Sequence, residues 1–313
     1  MSPRRITPML LGSLLAILPV SAQTPLQQHI QAMVAAYPGH VALFAKDLRT
    51  GQTITLDADR KVKTASVIKL TLMLEAMKQV QAGKLSLGTK LPLTKANQVE
   101  GSGILQFLSP GLELTLHDAI TLMITLSDNT ATNMIIDAVG LVPTNALVRQ
   151  LGLHNTYFYK KVFQAPSGPM PADQKQFGLG KTTPREMAEL VERIYRCDLG
   201  SRPLCLAMIT AMREQQDRNM VPRFLGDGNT SDGLPAIADK IGTLDDVRND
   251  VALVYTRSGP VILSIFTYGN KDRSWGNDNQ AEILVGHLAQ TIVQAWSPAG
   301  LAKTITDPLA PAH

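Results

Sequence analysis

The sequence predicts an α/β fold in two parts: an antiparallel sheet built from both ends of the chain and flanked by helices, with an all-helical region inserted between its strands. Three observations predict it. Residues 40–59, HVALFAKDLRTGQTITLDAD, alternate apolar and polar side chains on both sides of RTGQ, the period-two pattern of a β-hairpin. From residue 64 to about 220 the apolar residues recur at helical spacing instead. From about 235 the alternation returns in AIADKIGT, RNDVALVYT and PVILSIFTYG.

In chain order, the first 22 residues read as an export leader. Arg4 and Arg5 precede the apolar run MLLGSLLAILPV, and Val20-Ser21-Ala22 supplies a small-residue cleavage site. The run is shorter than the ~20 apolar residues that span a bilayer, and no other stretch approaches that length. A cleaved leader, a periplasmic or secreted protein and no membrane span after cleavage are expected. A helix over roughly 25–37 comes before the hairpin, and residues 64–82 make one amphipathic helix capped by Thr64. Thr115 and Asp118 form a T-x-x-D capping box ahead of LHDAITLMITL. Thr183 and Glu186 form a T-x-x-E box with Pro184 at the first helical position. NQAEILVGHLAQTIVQAW closes the fold as a helix. The chain thus divides into the leader (1–22), one folded unit (23–300) and a Pro- and Ala-rich tail (298–313) expected to be disordered. Within the unit, residues 23–62 and 225–297 make the α/β part and 63–224 the helical part.

With 44% hydrophobic and 18% charged residues, the chain can bury a large core. Its net charge of +4 comes from scattered lysines and arginines, and no basic run interleaves with aromatics, which argues against a nucleic-acid partner. The six histidines lack HxH or HExxH spacing and the two cysteines fit no metal-finger pattern, so no metal or other cofactor is expected. Cys197 and Cys205, in CDLGSRPLC, could close a small disulfide loop in an exported protein or remain reduced. A monomer is expected.

The chemistry-bearing residues fall in three stretches. In TASVIKLTL, Ser66 lies in the first turn after Thr64, near unpaired backbone N–H groups, and Lys69 follows one turn later on the same face. An ammonium cannot take a proton, so a basic Lys69 must be neutralised by burial or by a neighbouring cation. The apolar residues of VIKLTLML offer that burial, though a lysine snorkelling from an amphipathic helix fits this stretch as well. In TLSDNTATN, Ser127, Asp128 and Asn129 end an apolar helix, where they could serve a nucleophile or simply stop the helix. In ADKIGTLDDVRND, Lys240 beside Gly242 gives a cation next to backbone that a ligand can approach, and Arg248 is a second cation suited to a carboxylate.

In this order, S-x-x-K, S-D-N and K-x-G resemble the motifs of the serine penicillin-recognising enzymes, with the class A β-lactamases and related serine hydrolases as the nearest likeness. SDNTATN, TTPREMA and RNDVALVY extend the resemblance over nearly the whole chain after the leader. It implies a β-lactamase/transpeptidase-like fold and a small-molecule substrate, a β-lactam or a D-Ala-D-Ala-like group. It also implies Ser66 as the acylated nucleophile, Lys69 as its activating partner and Ser127 as the hydroxyl that protonates the leaving nitrogen. Asn129 would bind the substrate amide, and Lys240 and Arg248 its carboxylate. The backbone N–H groups of Ser66 and of Thr243, after Gly242, would form the oxyanion hole.

Two departures stand out. Ile241 occupies the place of the K-T-G hydroxyl. In addition, KKVFQAPSGPMPADQKQFGLGKT (160–182) lacks the glutamate with which class A enzymes activate the deacylating water. Gln164 falls near that position, Asn133 has lost its expected carboxylate partner, and Asp173 is the one acidic residue that could substitute as base. Hydrolysis of β-lactams, hydrolysis of D,D-peptides or esters, and penicillin binding without efficient turnover are therefore the three readings.

Overall fold

The computed structural model describes residues 24–226 and 228–310; the leader (1–22) lies outside them. Helix α1 (Pro25–Ala35) starts at Thr24, whose hydroxyl accepts from the Gln27 N–H. The predicted hairpin follows as β1 (His40–Asp47) and β2 (Thr53–Leu56). Short β3 (Val62–Lys63) leads into a 3-10 turn, Ala65–Ile68, and α2 (Lys69–Gln81). The single helix expected over 64–82 is thus broken after its first turn, and Thr64 makes no side-chain cap.

The helical part continues with β4 (Lys90–Pro92), β5 (Glu113–Thr115), α3 (Leu116–Thr125), α4 (Asn129–Val139) and α5 (Leu141–Gln150). The Thr115–Asp118 capping box forms in full. Next come β6 (Tyr157–Phe158), α6 (Gln174–Phe177), β7 (Gly180–Thr182), α7 (Pro184–Arg196) and α8 (Arg202–Arg213). At α7 only half of the predicted box forms. Thr183 accepts from the Glu186 N–H, but the Glu186 carboxylate turns to the N–H of Asn155 and the hydroxyl of Thr156. The chain then returns to the sheet as β8 (Ile237–Leu244), β9 (Val247–Thr256) and β10 (Gly259–Tyr268), and closes with α9 (Gln280–Trp296).

The five long strands form one antiparallel sheet in the order β2-β1-β10-β9-β8, so both ends of the chain meet at the β1–β10 pair and β8 is an edge. Strand pleating sorts its side chains into two cores. Ala42, Phe44, Val251, Leu253 and Phe266 face the helical part. Val41, Leu43, Ala252, Val254 and Leu263 pack with Ile30 of α1 and Leu288 of α9.

Two further outcomes concern regions where composition is ambiguous. Cys197 and Cys205 are joined in a disulfide, with Cα atoms 5.6 Å apart. The segment after 297, expected to be disordered, instead packs against the fold as far as it is described. Leu309 is buried, the Ala310 N–H donates to the Tyr195 carbonyl at 2.8 Å, the Tyr255 hydroxyl donates to the Pro308 carbonyl, and Arg202 pairs with Asp307. Two apolar side chains over a pair of tyrosines suffice to dock a segment whose composition alone reads as loose.

Candidate active site

A cleft of about 750 Å³ opens where the sheet edge β8 meets the helical part. Ser66 lines it, and is the one residue from Thr64 to Leu70 that is not buried. The preceding Ala65 has φ +46°, a left-handed conformation that a residue bearing Cβ adopts at a cost of about 1–3 kcal/mol. Phe163 (φ +53°), also in the cleft wall, shares it, and so does Ser127 (φ +54°), a partner of Lys69. Strain of this kind concentrates at functional sites.

Lys69 is fully buried rather than snorkelling. Its Nζ lies 2.7 Å from the Ser127 carbonyl, 2.9 Å from Asn129 Oδ1 and 3.3 Å from Ser127 Oγ. Burial, and then the positive charge of Lys240, hold its pKa well below the ordinary lysine value, against an opposing pull from Asp128. A neutral amine donating to the carbonyl and to Asn129 keeps its lone pair available. Lys240 is also buried; its Nζ reaches Ser127 Oγ at 3.1 Å and the Ile241 carbonyl at 3.0 Å. Burial brings it down to about 8, against the carboxylates of Asp239, Asp250 and Asp217. The Ser127 hydroxyl therefore touches both lysines.

Gly242 brings the sheet to the Ser66 turn. A Cβ there would stand 2.5 Å from the Thr64 carbonyl oxygen and 3.0 Å from the Ser66 nitrogen, so only glycine lets β8 approach this turn. Asn249 of β9 fastens the same turn, its Nδ2 donating to the carbonyls of Lys63 and Thr64. Thr243 follows Gly242 into the cleft wall.

A brace that sequence reasoning missed holds Ser127–Asn129. Asp128 caps α4 by accepting from the Ala131 N–H at 2.8 Å, and its other oxygen accepts from Ile104 N and Leu105 N. The Asn129 amide donates to the Glu100 carbonyl, and the Asn129 N–H to that of Ser102. Gly101 and Gly103, both at positive φ, allow this segment to lie flat on the loop. The glycine pair in EGSGI was the available signal.

Three sequence expectations change. Arg248 does not line the cleft. It is fully buried, paired with Glu282 of α9 at 2.9 Å, and donates further to the carbonyls of Leu244, Val247 and Ser274. Trp275 lies over its guanidinium, 5.0 Å from ring centroid to Cζ. The reason is strand pleating: Arg248 alternates with Asn249 and so emerges on the α9 face. Ile241 lies on that face too, in the core with Val221 and Val254. Asp173 is engaged by Lys181 and by the Tyr159 hydroxyl (2.7 Å), and both bonds hold its carboxyl below the usual range. A carboxylate so stabilised is a poor base, and it is not among the residues lining the cleft.

Asn133 has a partner after all, but a backbone one. Its Oδ1 accepts from Val162 N at 2.9 Å and its Nδ2 donates to Val162 O at 3.2 Å. This clamp fixes Val162 and Phe163 in the cleft wall. Gln164 points elsewhere, to the Ala96 carbonyl.

The comparisons agree with this architecture. The profile described as the beta-lactamase enzyme family matches residues 25–296. Curated relatives include Beta-lactamase AER-1 of Aeromonas hydrophila, 27% identical over 86% of this chain and 86% of its own length, and Beta-lactamase 1 of Streptomyces cacaoi, 26% identical over 78% and 77%. Among solved structures, a beta-lactamase from Sphaerobacter thermophilus superposes with a TM-score of 0.73 at 30% identity, covering 86% of this chain and 97% of that one. PBP-A gives 0.73 at 26% identity, covering 87% and 96%. A leucine-to-glutamate variant of PBP-A, solved as its acyl-enzyme with penicillin G, gives 0.72 at 26%, covering 86% and 95%. The matched span runs from the first residue of α1 to the last of α9, through every element that builds the cleft, and on that ground the chain belongs to the beta-lactamase enzyme family.

Proposed function

We propose that the protein is a class A-like serine hydrolase that opens the β-lactam amide through an acyl-enzyme on Ser66. The observation that carries the reading is the fully buried Lys69, its pKa held well below the ordinary lysine value, one turn after an accessible serine. Ser66 Oγ attacks the carbonyl carbon as its proton passes to the Lys69 amine. The N–H groups of Ser66 and Thr243 receive the developing oxyanion, and Gly242 provides the close approach this requires. The C–N bond then breaks, and the Ser127 hydroxyl gives its proton to the leaving nitrogen while taking one from the Lys69 ammonium. Asn129 steers Lys69 and the substrate amide.

A second reading follows from the wall opposite Ser66. Asn133 there holds backbone rather than a glutamate, and Asp173 is occupied by Lys181, so neither position supplies the acyl-enzyme with a water-activating carboxylate. The same machinery then acts as a slow-turnover penicillin-binding protein, or as a D,D-peptidase or esterase. Export through the leader is part of the proposal, and the Cys197–Cys205 bridge fits an oxidising compartment.

Intact mass spectrometry of the purified protein with benzylpenicillin, followed from minutes to hours, tests this. An adduct on Ser66 that is absent in Ser66→Ala is expected. A short-lived adduct with sustained nitrocefin turnover supports the hydrolase, and a persistent one supports the penicillin-binding reading. No adduct and no turnover would sink both.

A further inference from the structure

We infer that the cleft is built for an uncharged acyl donor with an apolar acyl group, and gives no advantage to a substrate that carries a carboxylate. This rests on the acyl-serine reading above and names the substrate class of the same site.

The first observation is what has become of the cations. Arg248, the natural carboxylate partner by residue type, is neutralised by Glu282, holds three carbonyls and is covered by Trp275. Lys240 is buried, with its amine engaged by the Ser127 hydroxyl and the Ile241 carbonyl. Ile241 offers no hydroxyl and is turned into the opposite core.

The second observation is the charge that remains. The titratable side chains in the cleft wall are Lys63 and Lys160 against Asp245 and Asp246, two positive and two negative. Lys63 lies 3.4 Å from Asp246, and Lys160 donates to the Gln164 carbonyl at 2.8 Å. Asp245, exposed at the tip of the β8–β9 hairpin, repels an anion approaching that end. A free carboxylate would thus lose its hydration without gaining a dedicated partner.

The third observation is the apolar wall. Phe163 and Trp275 line the cleft and are 62% and 68% exposed, and Leu244 beside them is 38% exposed. Phe163 is held there by the Asn133 clamp on Val162, and Trp275 by its stack on Arg248. Exposed aromatic rings fixed at the mouth of a cleft favour an apolar or aryl group laid against them.

The test compares benzylpenicillin with its methyl ester, a pair differing only in the carboxylate, by the second-order rate of Ser66 acylation read as intact mass. The ester is expected to acylate at least as fast as the acid. An acid faster by about tenfold or more overturns the inference while leaving the acyl-serine reading intact. If neither penicillin reacts but p-nitrophenyl phenylacetate acylates Ser66, the β-lactam reading fails and the inference stands; if none of the three reacts, both fail. Phe163→Ala and Trp275→Ala, truncations of largely exposed side chains, are each expected to reduce the preference for p-nitrophenyl phenylacetate over p-nitrophenyl acetate by about threefold or more, and an unchanged preference in both overturns the assigned role of the aromatic wall.

Discussion

The amine of Lys69 lies 2.7 Å from the main-chain carbonyl oxygen of Ser127 and 3.3 Å from its hydroxyl, so one strained residue presents two oxygens to the same amine. The left-handed backbone at Ser127 is what turns both groups toward the lysine.

That arrangement fixes a pH dependence. Acylation needs Lys69 unprotonated, and the Lys240 cation helps to keep it so. Raising the pH removes the Lys69 proton and speeds the reaction; raising it through about 8 also discharges Lys240, withdrawing the cation beside Ser127 Oγ that helps this hydroxyl give up its proton, and slows it. The rate of Ser66 acylation is therefore expected to be bell-shaped with an alkaline limb near pH 8. Lys240→Arg, which does not titrate in this range, should remove that limb, whereas Lys240→Ala should lower the rate by about 10²-fold.

Deacylation should respond to a carboxylate placed in the cleft and to no other. Phe163→Glu, on the wall fixed by Asn133, is expected to raise steady-state nitrocefin turnover by about 10-fold or more with an unchanged acylation burst. Gln164→Glu, directed at Ala96, and Asp173→Asn, which removes a carboxylate engaged by Lys181 and Tyr159, should each change turnover by less than about twofold. A large loss in Asp173→Asn, with folding intact by circular dichroism, would restore Asp173 as the base.

The brace on Asp128 should be intolerant of bulk. Gly103 has φ +98°, and a Cβ there would overlap both the carboxyl group and the Cα of Asp128, which cannot retreat while it caps α4. Gly103→Ala is expected to cost about 3 kcal/mol or more in urea unfolding and to slow acylation. Gly51→Ala, also at positive φ (+76°) but with nothing within 4 Å, should cost only about 1 kcal/mol and leave acylation alone.

Closing the short loop between Cys197 and Cys205 contributes about 2.5 kcal/mol on the chain-entropy account. Unfolding free energies from urea titrations with and without reductant should differ by that amount, with the rate of Ser66 acylation at 25 °C changed by less than about twofold.

Local pattern carried much of this protein. Alternation marked β1, β2 and β8 to β10, and the capping residues marked α3 and α7, because those signals are written within a few residues of the element they start. Ser66, Lys69, Ser127, Asn129 and Lys240 were legible by residue type and order. Arg248 was misassigned because a strand's period gives which residues share a face but not which core that face meets; its partner, Glu282, is distant in sequence. The Glu100–Leu105 brace and the docked segment around Leu309 were missed for a related reason. Each is held by a few long-range bonds to residues that look ordinary in their own neighbourhoods.

The pleat of β9 sorts two neighbours to opposite fates. Asn249 faces the nucleophile's turn, and Arg248 faces α9. A one-residue slip of that strand would exchange them, burying a guanidinium against the Thr64 carbonyl and leaving Glu282 without its counter-ion. Chemistry at Ser66 thus depends on a register pinned on the far side of the sheet. Acquiring a taste for anions would therefore start at Glu282, whose hold on Arg248 must loosen before any residue in the cleft itself needs to change.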